Sequence, residues 1–146
     1  MYVMGGPQGR LVFMRALPIA FLSLLSASVA SAVSTRDDGK VKFVARQELS
    51  NVSGNALTAV VVSYPPGGKS PRHHHAGSLF AYVLSGEVRS QNSATGPVRT
   101  YTAGESFYEP PGSEHLISEN GSSTKTATLL AVFVAPEGAT LTTYNK

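Results

Sequence analysis

Cysteine and tryptophan are both absent from this chain of 146 residues, and charged residues make up only 14% of it. Without cysteine there is no disulfide framework, no thiolate zinc site and no cysteine nucleophile, so any metal must be held by nitrogen and oxygen donors. The signatures of several enzyme classes are missing too. There is no G-x-S-x-G elbow, no P-loop, no dinucleotide fingerprint, and no carboxylate pair in a setting suited to glycosidase work. Nor does any apolar run reach the roughly 20 residues that a transmembrane helix needs. A chain of this length is expected to form one domain.

The charge that is present leans basic, with 12 Lys+Arg against 9 Asp+Glu and a formal net of +3. Much of that excess sits in a segment that does not read as part of the fold. Arg10 and Arg15 precede an apolar run from Ala16 to Leu25, and small residues follow through Ala30-Ser31-Ala32, an A-x-A cleavage pattern. Residues 1–32 are therefore expected to be a signal peptide, with an uncleaved anchor, a mitochondrial-type presequence or a start codon assigned too early as the other readings. The mature protein is expected to be secreted or extracytoplasmic, with no stable membrane span. Residues 33–40 are expected to form a flexible mature N-terminus and residues 41–146 the folded domain. Loss of Arg10 and Arg15 takes the 12 basic residues to 10 against 9 acidic ones, a net of +1. The remaining cations are scattered among acids without the clustered stripe that a phosphate backbone requires, so nucleic acid is not an expected partner. Asn51-Val-Ser53 and Asn120-Gly-Ser122 are glycosylation sequons.

After the leader, short β-branched and aromatic runs alternate with Gly, Pro, Ser and Asn clusters, and no long helical periodicity appears. The expected fold class is all-β, with strands at Val41–Arg46, Leu57–Tyr64, Arg72–His75, Leu79–Leu84, Glu87–Gln91, Val98–Thr102, Ser106–Glu109, His115–Ser118 and Ala127–Ala135. The separators, among them Pro65-Pro66-Gly67-Gly68 and Pro110-Pro111-Gly112, are turn formers. Such regular spacing suggests a sandwich, a jelly roll or a small barrel.

The 4 histidines all fall between positions 73 and 115. In an extended strand His73 and His75 share one face while His74 points away, so two imidazoles project together. A bulge there would shift the register and make His74 the ligand instead. His115, beyond the turn at Pro110-Pro111-Gly112, would complete a three-His site with open positions.

Gly67, His73, His75, Leu79 and Gly86 have the spacing of the first cupin motif, and Gly104, Pro110, Gly112 and His115 that of the second. The chain resembles small single-domain type-2 cupins. That resemblance implies a β-barrel or jelly roll with one divalent metal inside and pairing into a homodimer through edge strands. Two departures matter. The family commonly has a metal-binding Glu where this chain has Leu79, and the family's closing Asn falls on Glu119, with Asn120 next. Glu109, on the strand leading to His115, is the best candidate to fill the acid's place, as a fourth ligand or as an acceptor for an imidazole N–H. Phe80, Tyr82, Phe107 and Tyr108 are candidates for an apolar pocket wall, and Arg72 for orienting a substrate carboxylate.

The leading expectation is a metal-dependent oxidoreductase, dioxygenase-like, acting on a small molecule and using Fe(II), with Mn, Ni or Zn as alternatives. Two other readings stay open. One is a non-catalytic cupin that binds a small ligand or sugar. The other is an isomerase, cyclase or lyase in which Glu109 or Tyr82 moves the proton.

Overall fold

The computed structural model describes residues Gly39–Asn145; the expected signal peptide and most of the expected flexible N-terminus lie outside them. Within that range the chain forms eleven strands: β1 (Lys40–Glu48), β2 (Asn55–Tyr64), β3 (Lys69–Ser70), β4 (His73–His75), β5 (Ser78–Ser85), β6 (Glu87–Asn92), β7 (Arg99–Thr102), β8 (Ser106–Glu109), β9 (Glu114–Asn120), β10 (Ala127–Pro136) and β11 (Thr142–Tyr144). All nine strands anticipated from the pattern are present, and Lys40, placed in the flexible segment, is the first residue of β1. The additional strands are β3 and β11, of 2 and 3 residues, too short to carry a periodic signal.

The strands build two antiparallel sheets. One runs β1-β2-β10-β5-β8, and the other runs β11-β4-β9-β6-β7 with β3 beside β9. Alternation decides which side chains face inward. In β10, Ala127, Leu129, Ala131, Phe133 and Ala135 are buried, whereas the residues between them are only partly covered. Together with Val60, Tyr64, Leu79, Ala81, Val83 and Val88 they form most of the core.

Residue size then sets where that core is hollow. Val60, Ala131, Ala81 and Phe107 lie opposite one another in a row across β2, β10, β5 and β8. Two alanines at the centre of the row leave space that larger side chains would fill, and all four residues line one cavity of about 180 Å³.

The β5–β6 connection depends on Gly86. Its φ of 71° lies in the left-handed region, and a Cβ there would stand 2.6 Å from the Thr126 carbonyl oxygen. Both the backbone penalty and the clash oppose a side chain. Gly86→Ala is expected to lower stability by about 2–4 kcal/mol, read as a fall in the urea midpoint with unchanged slope; an unchanged midpoint would contradict this.

Candidate metal centre

Strand pairing assembles the site. His73 on β4 stands directly opposite His115 on β9, and His75 follows two residues along on the same face. His73, His75 and His115 are buried while His74 is exposed. The alternation through β4 is unbroken, so the reading in which His74 becomes the ligand is set aside. Ring centroids are 4.8 Å apart for His73 and His75, and 4.9 Å for His73 and His115. One ligand nitrogen from each of the three lies within 4.8 Å of the others.

Each imidazole has one nitrogen occupied from outside. His73 Nδ1 meets the Pro71 carbonyl at 2.7 Å. His75 Nδ1 meets the Leu141 carbonyl at 3.1 Å and Thr142 Oγ1 at 3.2 Å. His115 Nε2 lies 2.9 Å from Ser90 Oγ. Carbonyl acceptors on Nδ1 fix the N–H there and leave Nε2 of His73 and His75 with a free lone pair. Ligating histidines are characteristically oriented in this way.

Glu109 ends β8 with its side chain turned inward and 2% exposed. Its Oε2 accepts a hydrogen bond from Asn92 Nδ2 at 3.1 Å and lies 3.8 Å from His75 Nε2. Its Oε1 lies 2.9 Å from His115 Nδ1, but off the axis of an N–H donor. Among the described residues it is the one buried side-chain oxygen or nitrogen without a directed hydrogen bond. The three imidazoles, with a buried carboxylate oxygen carrying an unused lone pair beside His75 and His115, are a donor set suited to a divalent cation. The residues present fit a bound metal.

Register explains how the acid reached this place. Glu109 on β8 is the direct cross-strand partner of Leu79 on β5, and both are buried. The carboxylate absent from position 79 is supplied from the adjacent strand on the same inner face.

Burial shapes the titration of the site. It lowers His73 from 6.5 to about 4, against a raising hydrogen bond to Pro71, and it lowers His75 against the attraction of Glu109. Burial alone would raise Glu109, but His115, His75 and Asn92 hold its carboxyl below the ordinary 4.5. The signs add in one direction. Between pH 6.5 and 4 the unfolded chain takes up a proton that folded His73 refuses, so stability falls with pH across that window. The contribution of Glu109 is lost below that, as its own folded value is crossed. The metal-free protein is expected to lose about 3 kcal/mol between pH 7 and pH 4 through His73 alone. Urea midpoints at the two pH values check this; equal midpoints would contradict it.

Several sequence expectations need correction. Tyr82, proposed to move a proton, and Phe80 and Tyr108, proposed as pocket wall, point outward, because they alternate with Ala81 and with Glu109. Phe107 does line the cavity, and Arg72 does not. Asn120 is not a free glycan acceptor: its side chain is buried and bonded to three backbone carbonyls. The residues that sequence reasoning missed are Ser90 and Asn92, which hold His115 and Glu109, and the C-terminal Leu141 and Thr142, which hold His75. Asn92 carried a partial signal, as a polar residue at the end of an alternating strand. Leu141 and Thr142 carried none, since only the pairing of β11 with β4 brings them to the site.

An all-β fold of two antiparallel sheets enclosing a buried three-His cluster with an adjacent carboxylate defines a double-stranded β-barrel with a potential metal centre. The family described as Cupin domain matches residues 60–133, about half of the chain. The protein belongs to the cupin family. Among solved structures it is similar to an uncharacterized conserved protein with a double-stranded β-helix domain from Klebsiella pneumoniae, at 22% identity over 75% of this chain and 85% of that one, TM-score 0.56. It is also similar to the DMSP lyase DddQ from Ruegeria pomeroyi, at 20% identity over 75% of this chain but 52% of that one, TM-score 0.58. An oxalate decarboxylase shares 26% identity over 73% of this chain and 28% of its own length, TM-score 0.55. These likenesses establish the fold. No protein of curated function matches the chain.

Proposed function

We propose that this cupin is a metal-dependent enzyme acting on a small molecule in the barrel cavity, with dioxygen-dependent oxidation as its reaction class. The observation that carries the reading is the convergence of His73, His75, His115 and the under-bonded Glu109 carboxylate on the wall of one largely apolar cavity. A divalent transition metal held by these four residues would supply Lewis acidity and, as Fe(II), electron exchange with dioxygen.

The chain's own residues favour oxidation over proton transfer. An isomerase or lyase needs a base free of the metal ligands, and among the described residues the cavity lining contains no lysine and no carboxylate other than Glu109. Tyr64 is the buried candidate, and burial raises its phenol above the ordinary 10, against hydrogen bonds to Ser118 and Ser70. At neutral pH Tyr64 therefore stays protonated and serves as a donor, not a base. Val60, Ala81, Ala131 and Phe133 give the cavity beside the imidazoles an apolar wall.

The test is metal analysis of protein purified without a polyhistidine tag, beside a His73→Ala/His75→Ala/His115→Ala variant. Near-stoichiometric metal in the wild type and its loss in the variant are expected; equal metal content in the two overturns the proposal. Oxygen uptake across a panel of small neutral compounds then separates the reaction classes. Turnover without oxygen uptake would move the protein to the redox-neutral class.

A further inference from the structure

Away from the imidazoles, the cavity wall carries a second polar feature. Tyr64 on β2, Ser70 on β3 and Ser118 on β9 all line it. Tyr64 Oη lies 2.8 Å from Ser70 Oγ and 2.9 Å from Ser118 Oγ. Tyr64 and Ser118 are 3% and 6% exposed. Ser118 reaches this face because of an irregularity in β9. Asn92 pairs with His115 but Gln91 pairs with Ile117, so Leu116 is an extra residue that lets both His115 and Ser118 point inward.

Proton counting gives the cluster a direction. Three hydroxyls carry three protons, and two contacts among them consume two. No other hydrogen bond of these three hydroxyls exists among the described residues. One O–H donor is left over on the cavity wall, at buried Tyr64 or Ser118 or at half-buried Ser70 according to the direction of donation, and at the two buried positions an unsatisfied donor is costly. A ligand oxygen in the cavity would satisfy it. Among the described residues the same wall has no lysine or arginine, so an anionic group on the ligand would be desolvated without a fixed counter-charge. Size adds a bound: an apolar cavity of about 150 Å³ takes benzene, so this one accommodates about six to eight heavy atoms.

We infer that the Tyr64–Ser70–Ser118 cluster is a recognition point for an oxygen acceptor, and that the cavity selects small uncharged carbonyl or ether compounds over hydrocarbons and carboxylates of equal size. This rests on the reading of the cavity as the substrate pocket. It does not rest on the metal, and so it is tested on metal-free protein.

The experiment is a titration of the metal-free protein with cyclohexanone, methylcyclohexane and pentanoate, followed by amide chemical shifts. Cyclohexanone is expected to bind about five- to tenfold tighter than either comparison compound, the worth of one buried hydrogen bond. Intermolecular NOEs should connect it to the Tyr64 ring. In Tyr64→Phe/Ser70→Ala/Ser118→Ala all three oxygens go together, which leaves no stranded partner, and the preference for cyclohexanone over methylcyclohexane should vanish. A preference that survives in the variant, pentanoate binding as well as cyclohexanone, NOEs confined to other residues, or no saturable shift with any compound each overturns the inference. The NOE measurement needs only the wild type and decides the matter even if the variant does not fold. Stoichiometric metal with no cyclohexanone preference would sink this inference and leave the metal reading standing; the reverse pattern would do the opposite.

Discussion

Glu109→Leu is expected to weaken metal binding about 10- to 100-fold, and adding Leu79→Glu to that variant is expected to recover most of the loss. The argument is one of register. Leu79 and Glu109 are direct partners across β5 and β8, and directly opposed residues have Cβ atoms about 5 Å apart on the same face. A glutamate is long enough to bring its carboxylate from either position into the space between His75 and His115. The exchange therefore moves the acid across one strand without changing its destination. The single Leu79→Glu variant should behave differently. It places two carboxylates in one buried space, where both cannot ionise without cost, so the metal-free fold is destabilised and one carboxyl stays protonated to higher pH. Competition with a chromophoric chelator measures the affinities, and thermal melts of the metal-free forms measure the cost. Wild-type affinity in Glu109→Leu would remove Glu109 from the centre. A double variant no better than Glu109→Leu would show that position 79 does not address the same space.

The three histidines were legible because two local patterns agreed on them. Strand alternation put His73 and His75 on one face, and motif spacing brought in His115. The same rule, carried one strand further, would have corrected the aromatic assignments. If Leu79 faces inward, so do Ala81 and Val83, and Phe80 and Tyr82 must face solvent. The error at Tyr82 came from weighing the residue's chemistry ahead of its parity. Other parts of the site were not legible in principle. Ser90 and Asn92 reach the site only through the pairing of β6 with β9, and Leu141 only through that of β11 with β4. These are contacts between residues up to 66 positions apart, as in the His75–Leu141 bond. The extra residue at Leu116 lay equally beyond local pattern, because a bulge is fixed by how two strands close on each other.

That bulge bears on the last and largest stability effect, at Asn120. The family's motif places its closing Asn four residues after the histidine, and in this chain that position is Glu119, whose carboxylate pairs with Arg89 on the outside. With one residue inserted at Leu116, inward parity after His115 passes to Ser118 and Asn120. The Asn120 side chain lies inside and does the work of a brace. Its Nδ2 lies 3.2, 2.9 and 2.7 Å from the carbonyls of Tyr64, Pro65 and Lys125, two N–H protons serving three acceptors with one shared, and its Oδ1 accepts from the Ser122 amide at 2.8 Å. It thus ties the end of β2 to the loop that enters β10. Asn120→Ala would take this partner from the Tyr64 and Lys125 carbonyls and the Ser122 N–H, while the Pro65 carbonyl keeps the Gly68 N–H, and is expected to cost about 3 kcal/mol. Asn120→Asp keeps the shape but aims a carboxylate at three carbonyl oxygens, and should cost at least as much at pH 7. If lost volume were the cause, Asp would be mild and Ala severe. Equilibrium denaturation of the two variants distinguishes these outcomes. A glycan on this nitrogen would remove a proton that the brace uses, so of the two sequons only Asn51, in an exposed turn, is compatible with the folded barrel.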